Sequence, residues 1–161
     1  MSEQLADPRV SITVPVPAAE AFRIYAEYAI EWLPPEHTFL RGPEAIVMEP
    51  RQGGRFYERG ADGAEMTRGT IVEWAPPGRI ALTWRIGPGW RPVPDDERAS
   101  VIVVEFSPAG PEATEVALTY THLERHGEMA EAIRNAIAQP GQASTLDRYA
   151  EVVARRAAGA G

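Results

Sequence analysis

Residues 53–86, GGRFYERGADGAEMTRGTIVEWAPPGRIALTWRI, spell three consecutive antiparallel strands together with both of their turns. Gly53-Gly54 opens the first strand, Arg55 to Arg59. Ala61-Asp62-Gly63 supplies a hairpin turn, because Asp-Gly tolerates the positive φ angles such turns require. Met66 to Trp74 makes the second strand, and Pro76-Pro77-Gly78 stops it, since proline has no N–H to give a ladder. In the third strand, Arg79 to Ile86, residues Ile80, Leu82, Trp84 and Ile86 share one face, with Arg79, Thr83 and Arg85 opposite. That period of two marks a sheet with one buried face. The buried face is large and aromatic, so whatever covers it decides the function.

On the N-terminal side, Val10, Ile12 and Val14 alternate in a first strand, Arg9 to Val14, ended by Pro15 and Pro17. Ala18 to Trp32 follows as a helix, with Phe22, Tyr25, Ala26 and Ala29 spaced by three and four. Ile24, Tyr28 and Trp32 widen its apolar arc, which suggests a break in the middle. Pro34-Pro35 ends it. Glu36 to Gly42 is a loop holding His37 and Phe39, and Glu44 to Glu49 a short strand. On the C-terminal side, Gly87 to Asp96 is a long proline- and glycine-rich loop around Trp90, read first as a plain hairpin connection with the tryptophan packed back on the surface and second as a lid or binding loop. Ser100 to Phe106 and Thr114 to His122 are strands, with Pro108 to Pro111 as the turn between them. Glu128 to Ala138 is helical, carrying Met129 and Ile133 on one stripe. A last helix begins at the capping box Ser144-Thr-Leu-Asp147 and buries Leu146, Tyr149, Ala150, Val153 and Ala157. Strands joined by short turns prefer to be neighbours. One curved antiparallel sheet with the last helix across its concave face satisfies the whole order.

A chain of 161 residues supports one domain with a full-sized core. Apolar residues make up 44% and charged residues 24%, a folded rather than disordered composition. The net charge of -7 disfavours nucleic acid as a partner. No apolar run approaches the ~20 residues of a membrane span. The start, MSEQLADPRV, lacks a basic region and an apolar signal core, pointing to the cytoplasm. Cysteine is absent, which excludes disulfides, thiolate nucleophiles and cysteine-ligated metals. All 16 basic residues are arginine, which excludes Schiff-base lysines and the phosphate-loop lysine; GC-rich codon bias in a bacterial genome explains the bias. No dinucleotide-binding glycine pattern occurs, and no cofactor is expected.

Several local motifs, in order, resemble the START-like superfamily (SRPBCC, the helix-grip or birch-pollen-allergen-like fold). They are Pro17 to Phe22 (PAAEAF), Arg51 to Phe56 (RQGGRF), Asp62-Gly63, Gly69 to Glu73 (GTIVE), Pro76 to Ile80 (PPGRI) and Thr145 to Arg148 (TLDR). The branch they are most similar to is that of homologues of the activator of the heat-shock-protein-90 ATPase. The resemblance implies an α+β helix-grip fold: a curved antiparallel sheet of six to seven strands wrapped around a long C-terminal helix, with two short helices after the first strand. It implies a single START-like domain over residues 1–161, with its core at about 9–157. Ile71 and Trp74 have opposite parity; the family-like Gly69-x-Ile71 pattern sets Ile71 inward and leaves Trp74 to cap the sheet edge. The chain departs from the pattern at the Gly87–Asp96 loop and at Gly141-Gln142-Ala143, both at the expected cavity mouth.

Trp32, Phe39, Phe56, Ile71, Leu82, Trp84, Tyr120, Met129 and Ile133 are expected to converge between sheet and helices and line a ligand cavity there. Core packing alone explains the same set. Glu58 and Tyr120 are the acid–base candidates by parity. His122 and His126 lie four apart, but one ends a strand and the other sits in a connection, so no metal site is expected. The acidic run Asp95-Asp96-Glu97 is read as a solvated loop. No serine sits in a nucleophile elbow. The first functional reading is binding or carriage of a small hydrophobic or aromatic molecule beneath the C-terminal helix. The second is a cavity-based enzyme of cyclase, dehydratase or hydrolase type. A chaperone-activating module and a structural role, such as a homodimer, complete the alternatives.

Overall fold

The computed structural model describes residues 8–33, 38–87, 91–92, 96–97, 99–138 and 145–159. His37, Trp90, Asp95 and the capping Ser144 lie outside these residues. Nine strands occur among them: β1 (Arg9–Val14), β2 (Ala45–Met48), β3 (Arg55–Arg59), β4 (Glu65–Ala75), β5 (Arg79–Trp84), β6 (Ile86–Gly87), β7 (Arg91–Pro92), β8 (Ser100–Gly110) and β9 (Ala113–Thr121). The helices are α1 (Ala18–Glu27), α2 (Ala29–Trp32), α3 (Ala130–Ala138), entered through a 3-10 segment Leu123–Met129, and α4 (Thr145–Gly159).

Seven strands form one curled antiparallel sheet in the order β1-β9-β8-β5-β4-β3-β2. With two short helices after β1 and α4 closing the chain, this is the helix-grip α+β fold. The registers line the inner face in rows. Val10, Leu118, Val104, Ile80 and Trp74 lie side by side across five strands, and Tyr120, Ile102, Leu82 and Ile71 across four. Each row presents side chains of like parity to one side, so these two rows make an apolar band across the concave face.

The helices seat against that face. Pro17 enters α1 with extended backbone, and its carbonyl accepts the Ala21 N–H at 2.9 Å. The break falls at Tyr28 (φ -120°, ψ 35°), and α2 turns Trp32 inward. In α4, Leu146, Tyr149, Val152 and Val153 are buried. The Tyr149 hydroxyl donates to the Ala21 carbonyl at 2.6 Å, and Arg156 pairs with Glu31, so α4 is tied to both short helices.

The parity conflict in β4 is resolved by a β-bulge. Ile71 pairs with Leu82 and Glu73 with Ala81, leaving Val72 as the extra residue, 40% exposed. The bulge rotates the strand so that Trp74, like Ile71, faces inward: its indole meets the Phe22 ring edge-on at 5.1 Å. Trp74 therefore does not cap the sheet edge.

Other expectations also shift. β8 runs on through Pro108 to Gly110, and the turn falls at Pro111-Glu112. Where the sequence reads a hairpin connection after Ile86, β6 and β7 pair as a short antiparallel ribbon. Asp96 is not a free solvated carboxylate, although its side chain is 39% exposed. Its carboxylate accepts hydrogen bonds from the hydroxyls of Thr70 and Thr83 and from Arg85 Nε, each at 2.8 Å. Burial works against the charge, but these donors outweigh it and hold the carboxyl below its ordinary range. Asp96 thus pins its segment to the outer face of β4 and β5 and buries Thr83.

Gly69 makes that close strand approach possible. A Cβ there would stand 2.0 Å from the Thr83 carbonyl oxygen. Gly69→Ala should lower stability by about 2–3 kcal/mol or prevent folding, read from urea unfolding. A variant as stable as the parent would show that β4 and β5 are not so closely apposed.

Candidate functional site

The predicted cavity residues come together in two groups rather than one. Trp32, Phe56, Ile71 and Leu82 belong to the main core with Tyr25, Phe22, Phe106 and Tyr149. Phe39, Trp84 and Met129 pack with the buried Leu123 and Ile133 in a smaller cluster beneath the 3-10 segment and α3. Among the described residues Tyr120 packs against both. Its ring lies 5.9 Å from Trp84.

Between the groups sits a buried ion pair. Glu58 is fully buried and Arg68 is 6% exposed; their closest atoms, Oε2 and Nη1, are 2.5 Å apart. The same carboxylate accepts the backbone N–H groups of Phe39 and Leu40, each at 2.8 Å. Arg68 reaches it because of a second bulge. Phe56 pairs with Gly69 and Tyr57 with Thr67, so Arg68 is the extra residue and turns to the side that Glu58 occupies. Its guanidinium carbon lies 4.9 Å from the Phe39 ring centre and 5.4 Å from that of Phe56. Burial lowers the guanidinium pKa and Glu58 opposes the shift; arginine starts so high that it stays charged. Glu58 therefore has a structural role, with its oxygens committed to three donors, and is not a free general acid or base.

Tyr25 was no candidate from the sequence, where it is one apolar position of a helical stripe. It is 3% exposed, stacked on Trp32 at 4.5 Å and flanked by Phe106 and Tyr149. Burial is the main influence raising the pKa of both Tyr25 and Tyr120, the latter to about 12. Both phenols therefore stay protonated near neutral pH. Arg68 escaped notice as well, because only the bulge brings it inward.

The two histidines part. His122 ends β9 in a left-handed conformation (φ 58°), exposed and beside Glu124. His126 lies edge-on to Trp84 at 6.0 Å, with Nε2 2.8 Å from the buried Ser100 Oγ. No group of three or more metal-ligating side chains gathers among the described residues. An open pocket of about 480 Å³ lies elsewhere, between α1 and the β2 side of the sheet, walled by Phe22, Ala26, Ile46, Met48 and Trp74. None of the nine predicted residues lines it. Its Arg23 is engaged by Glu20, Glu27 and Tyr28. No helix of the described residues is long and apolar enough to cross a membrane.

Comparison with known proteins places these features in context. The family described as activator of Hsp90 ATPase homolog 1-like protein matches residues 16–154. No curated protein sequence matches. Among solved structures, the anthrahydroquino-γ-pyrone synthase Txn09, complexed with SUM, is 40% identical, with TM-score 0.64 over 94% of this chain and 99% of that one. The self-sacrificing resistance protein CalC from Micromonospora echinospora is 25% identical, with TM-score 0.68 over 94% and 96%. PFC0360w, an Hsp90 activator from Plasmodium falciparum, is 20% identical, with TM-score 0.51 over 83% and 89%, and shares the fold.

Removing one partner of a buried ion pair strands the other's charge, whereas removing both does not. Arg68→Met should cost about 3–5 kcal/mol. Glu58→Leu should cost a similar amount, and the double variant clearly less than the sum, in a urea-unfolding double-mutant cycle. Additive losses would contradict a coupled pair.

Proposed function

The chain belongs to the family of activator of Hsp90 ATPase homolog 1-like proteins, and we propose that this member binds a planar polycyclic aromatic of the anthrahydroquinone class and closes a ring on it. The observation that carries this reading is the 40% identity with the γ-pyrone synthase across 94% of this chain and 99% of the other. The ligand's seat in this reading is the interior bordered by Trp84, Phe39, Phe56, Tyr120, Tyr25 and Arg68.

The chemistry of such a ligand suits these side chains. A fused aromatic system is apolar on its faces and polar at its edge. Indole and phenyl rings match the faces, and a few fixed polar groups orient the edge. Closing a γ-pyrone adds a phenolic O–H of the polycycle across a ketone of its 1,3-diketone side chain, giving a C–O bond and a hemiketal hydroxyl; that hydroxyl and a neighbouring α-hydrogen then leave as water. The protein's part is to hold the side chain folded against the phenol and to exclude water, an orientation effect. The cluster under α3 is the part that yields to admit the ligand, because it meets the main core through Tyr120. The segment above it begins at left-handed His122 and kinks at Gly127 (φ 61°), two points where the chain changes direction. Binding without turnover is the second reading, favoured by the 25% identity with CalC.

Purified protein should be mixed under nitrogen with an anthrahydroquinone bearing an uncyclised side chain. Saturable quenching of tryptophan fluorescence and a ring-closed product, formed about tenfold or more faster than without protein, are expected. Trp84→Ala should weaken binding by about tenfold, roughly the loss of one aromatic contact surface. Saturable binding without product would select the second reading, and no binding would refute both.

A further inference from the structure

We infer that Ser100 and His126 form an acid–base pair that moves the protons of ring closure, with His126 Nε2 as the base and the Ser100 hydroxyl as a donor to the reacting ketone. The inference rests on the ring-closing reading and on the ligand's seat against Trp84.

The two residues come from different parts of the fold. Ser100 opens β8 and is fully buried, whereas His126 is half-buried in the 3-10 segment above Trp84. Ser100 stands directly opposite Trp84 in the β5–β8 register, and opposed residues leave a sheet on the same side. Its hydroxyl therefore lies on the face that carries the indole. The imidazole reaches the same place from the cover: it meets the Trp84 ring edge-on at 6.0 Å, and its Nε2 is 2.8 Å from Ser100 Oγ. A planar ligand held against Trp84 has both groups at its margin.

The hydrogen bonding assigns the tautomer. The Ser100 backbone N–H also meets Nε2, at 3.3 Å. An amide N–H can only donate, so Nε2 carries the lone pair and the neutral ring holds its hydrogen on Nδ1. The Ser100 hydroxyl then donates to Nε2 as well. The amide donor is fixed, whereas the hydroxyl turns about its own side-chain bonds. A ketone oxygen can draw the hydroxyl to itself while the amide keeps the imidazole in register. Imidazoles as a class exchange protons readily near neutral pH, in both directions. Other candidate bases are committed or turned away: Glu58 is held by Arg68 and two amides, Asp96 by Thr70 and Thr83, and His122 is exposed beside Glu124.

The proton traffic balances in both steps. As the phenolic oxygen bonds to the ketone carbon, Nε2 takes the phenol proton and the Ser100 hydroxyl supports the oxygen where charge gathers. The imidazolium then returns that proton to this oxygen, leaving the hemiketal. Next Nε2 takes the α-hydrogen, a C=C bond forms, and the same proton departs with the hydroxyl as water. The imidazole ends neutral each time. Because His126 belongs to the cover and Ser100 to the sheet, the pair is assembled only with the cover down.

His126→Gln separates the base from the hydrogen bond, since its carboxamide oxygen accepts both Ser100 donors without being a base. The substrate is an anthrahydroquinone carrying an uncyclised 1,3-diketone side chain. The substitution should lower kcat by about a hundred- to ten-thousandfold. It should leave binding of the ring-closed product, followed by tryptophan quenching, within about threefold of wild type. Ser100→Ala should lower kcat by about ten- to a hundredfold. Azoles added to His126→Ala should restore turnover, faster as the azole becomes more basic. Wild-type turnover matched by His126→Gln would overturn the acid–base pair alone. Loss of product binding in His126→Gln would also overturn it, by showing that the contact only shapes the site. A wild-type protein that binds the product and closes no ring would overturn the pair together with the ring-closing reading.

Discussion

A fully buried carboxylate on β3 and an almost fully buried guanidinium on β4 face each other across the interior, and much of the upper half of the molecule is arranged to permit it. Neither charge could be buried alone, since desolvating one ion costs several kcal/mol. The β4 bulge exists at the residue that must reach Glu58. The carboxylate's remaining capacity is filled by the amides of Phe39 and Leu40, which fixes the end of the segment after α2 over the sheet. Arg68 in turn lies against Phe39 and Phe56, so one polar contact sets the positions of two aromatic walls.

That arrangement separates two kinds of packing. Below it, α1, α2 and α4 are tied together by Tyr149 and Glu31 and sealed by the Phe22–Tyr25–Trp32–Phe106 cluster. Above it, Leu123, Ile133 and Met129 cover Trp84 in a smaller cluster. Small clusters with few buried contacts are where local opening is cheapest. A stable base beneath a light cover is a sound arrangement for admitting a large planar molecule.

Much of the fold was legible in the chain. The alternation in Arg79 to Ile86, the Asp62-Gly63 turn and the Pro76-Pro77-Gly78 stop locate strands whose observed bounds differ by a residue or two, and the opening motif Pro17 to Phe22 marks the observed start of α1. Bulges were not legible, because a period-two pattern carries no sign of an extra residue. Trp74 and Arg68 were misjudged or overlooked for that one reason. The nine candidate positions came from strand alternation, helical stripes, a loop aromatic and the Gly69-x-Ile71 pattern, and only tertiary structure separates them into two groups. The polar members were the hardest to find. Tyr25 looks like any apolar helix position, and Asp96 looks like part of a solvated run until the hydroxyls of Thr70 and Thr83 converge on it.

The central claim is that an aromatic ligand seats inside, against Trp84, and not in the open groove walled by Trp74. Indole N–H resonances in a ¹⁵N-resolved NMR titration with an anthrahydroquinone test it most directly, with each tryptophan assigned by substitution. The Trp84 signal should move in a saturable manner while Trp74 stays in place. Movement of Trp74 with Trp84 unchanged would put the ligand in the α1 groove and contradict the account.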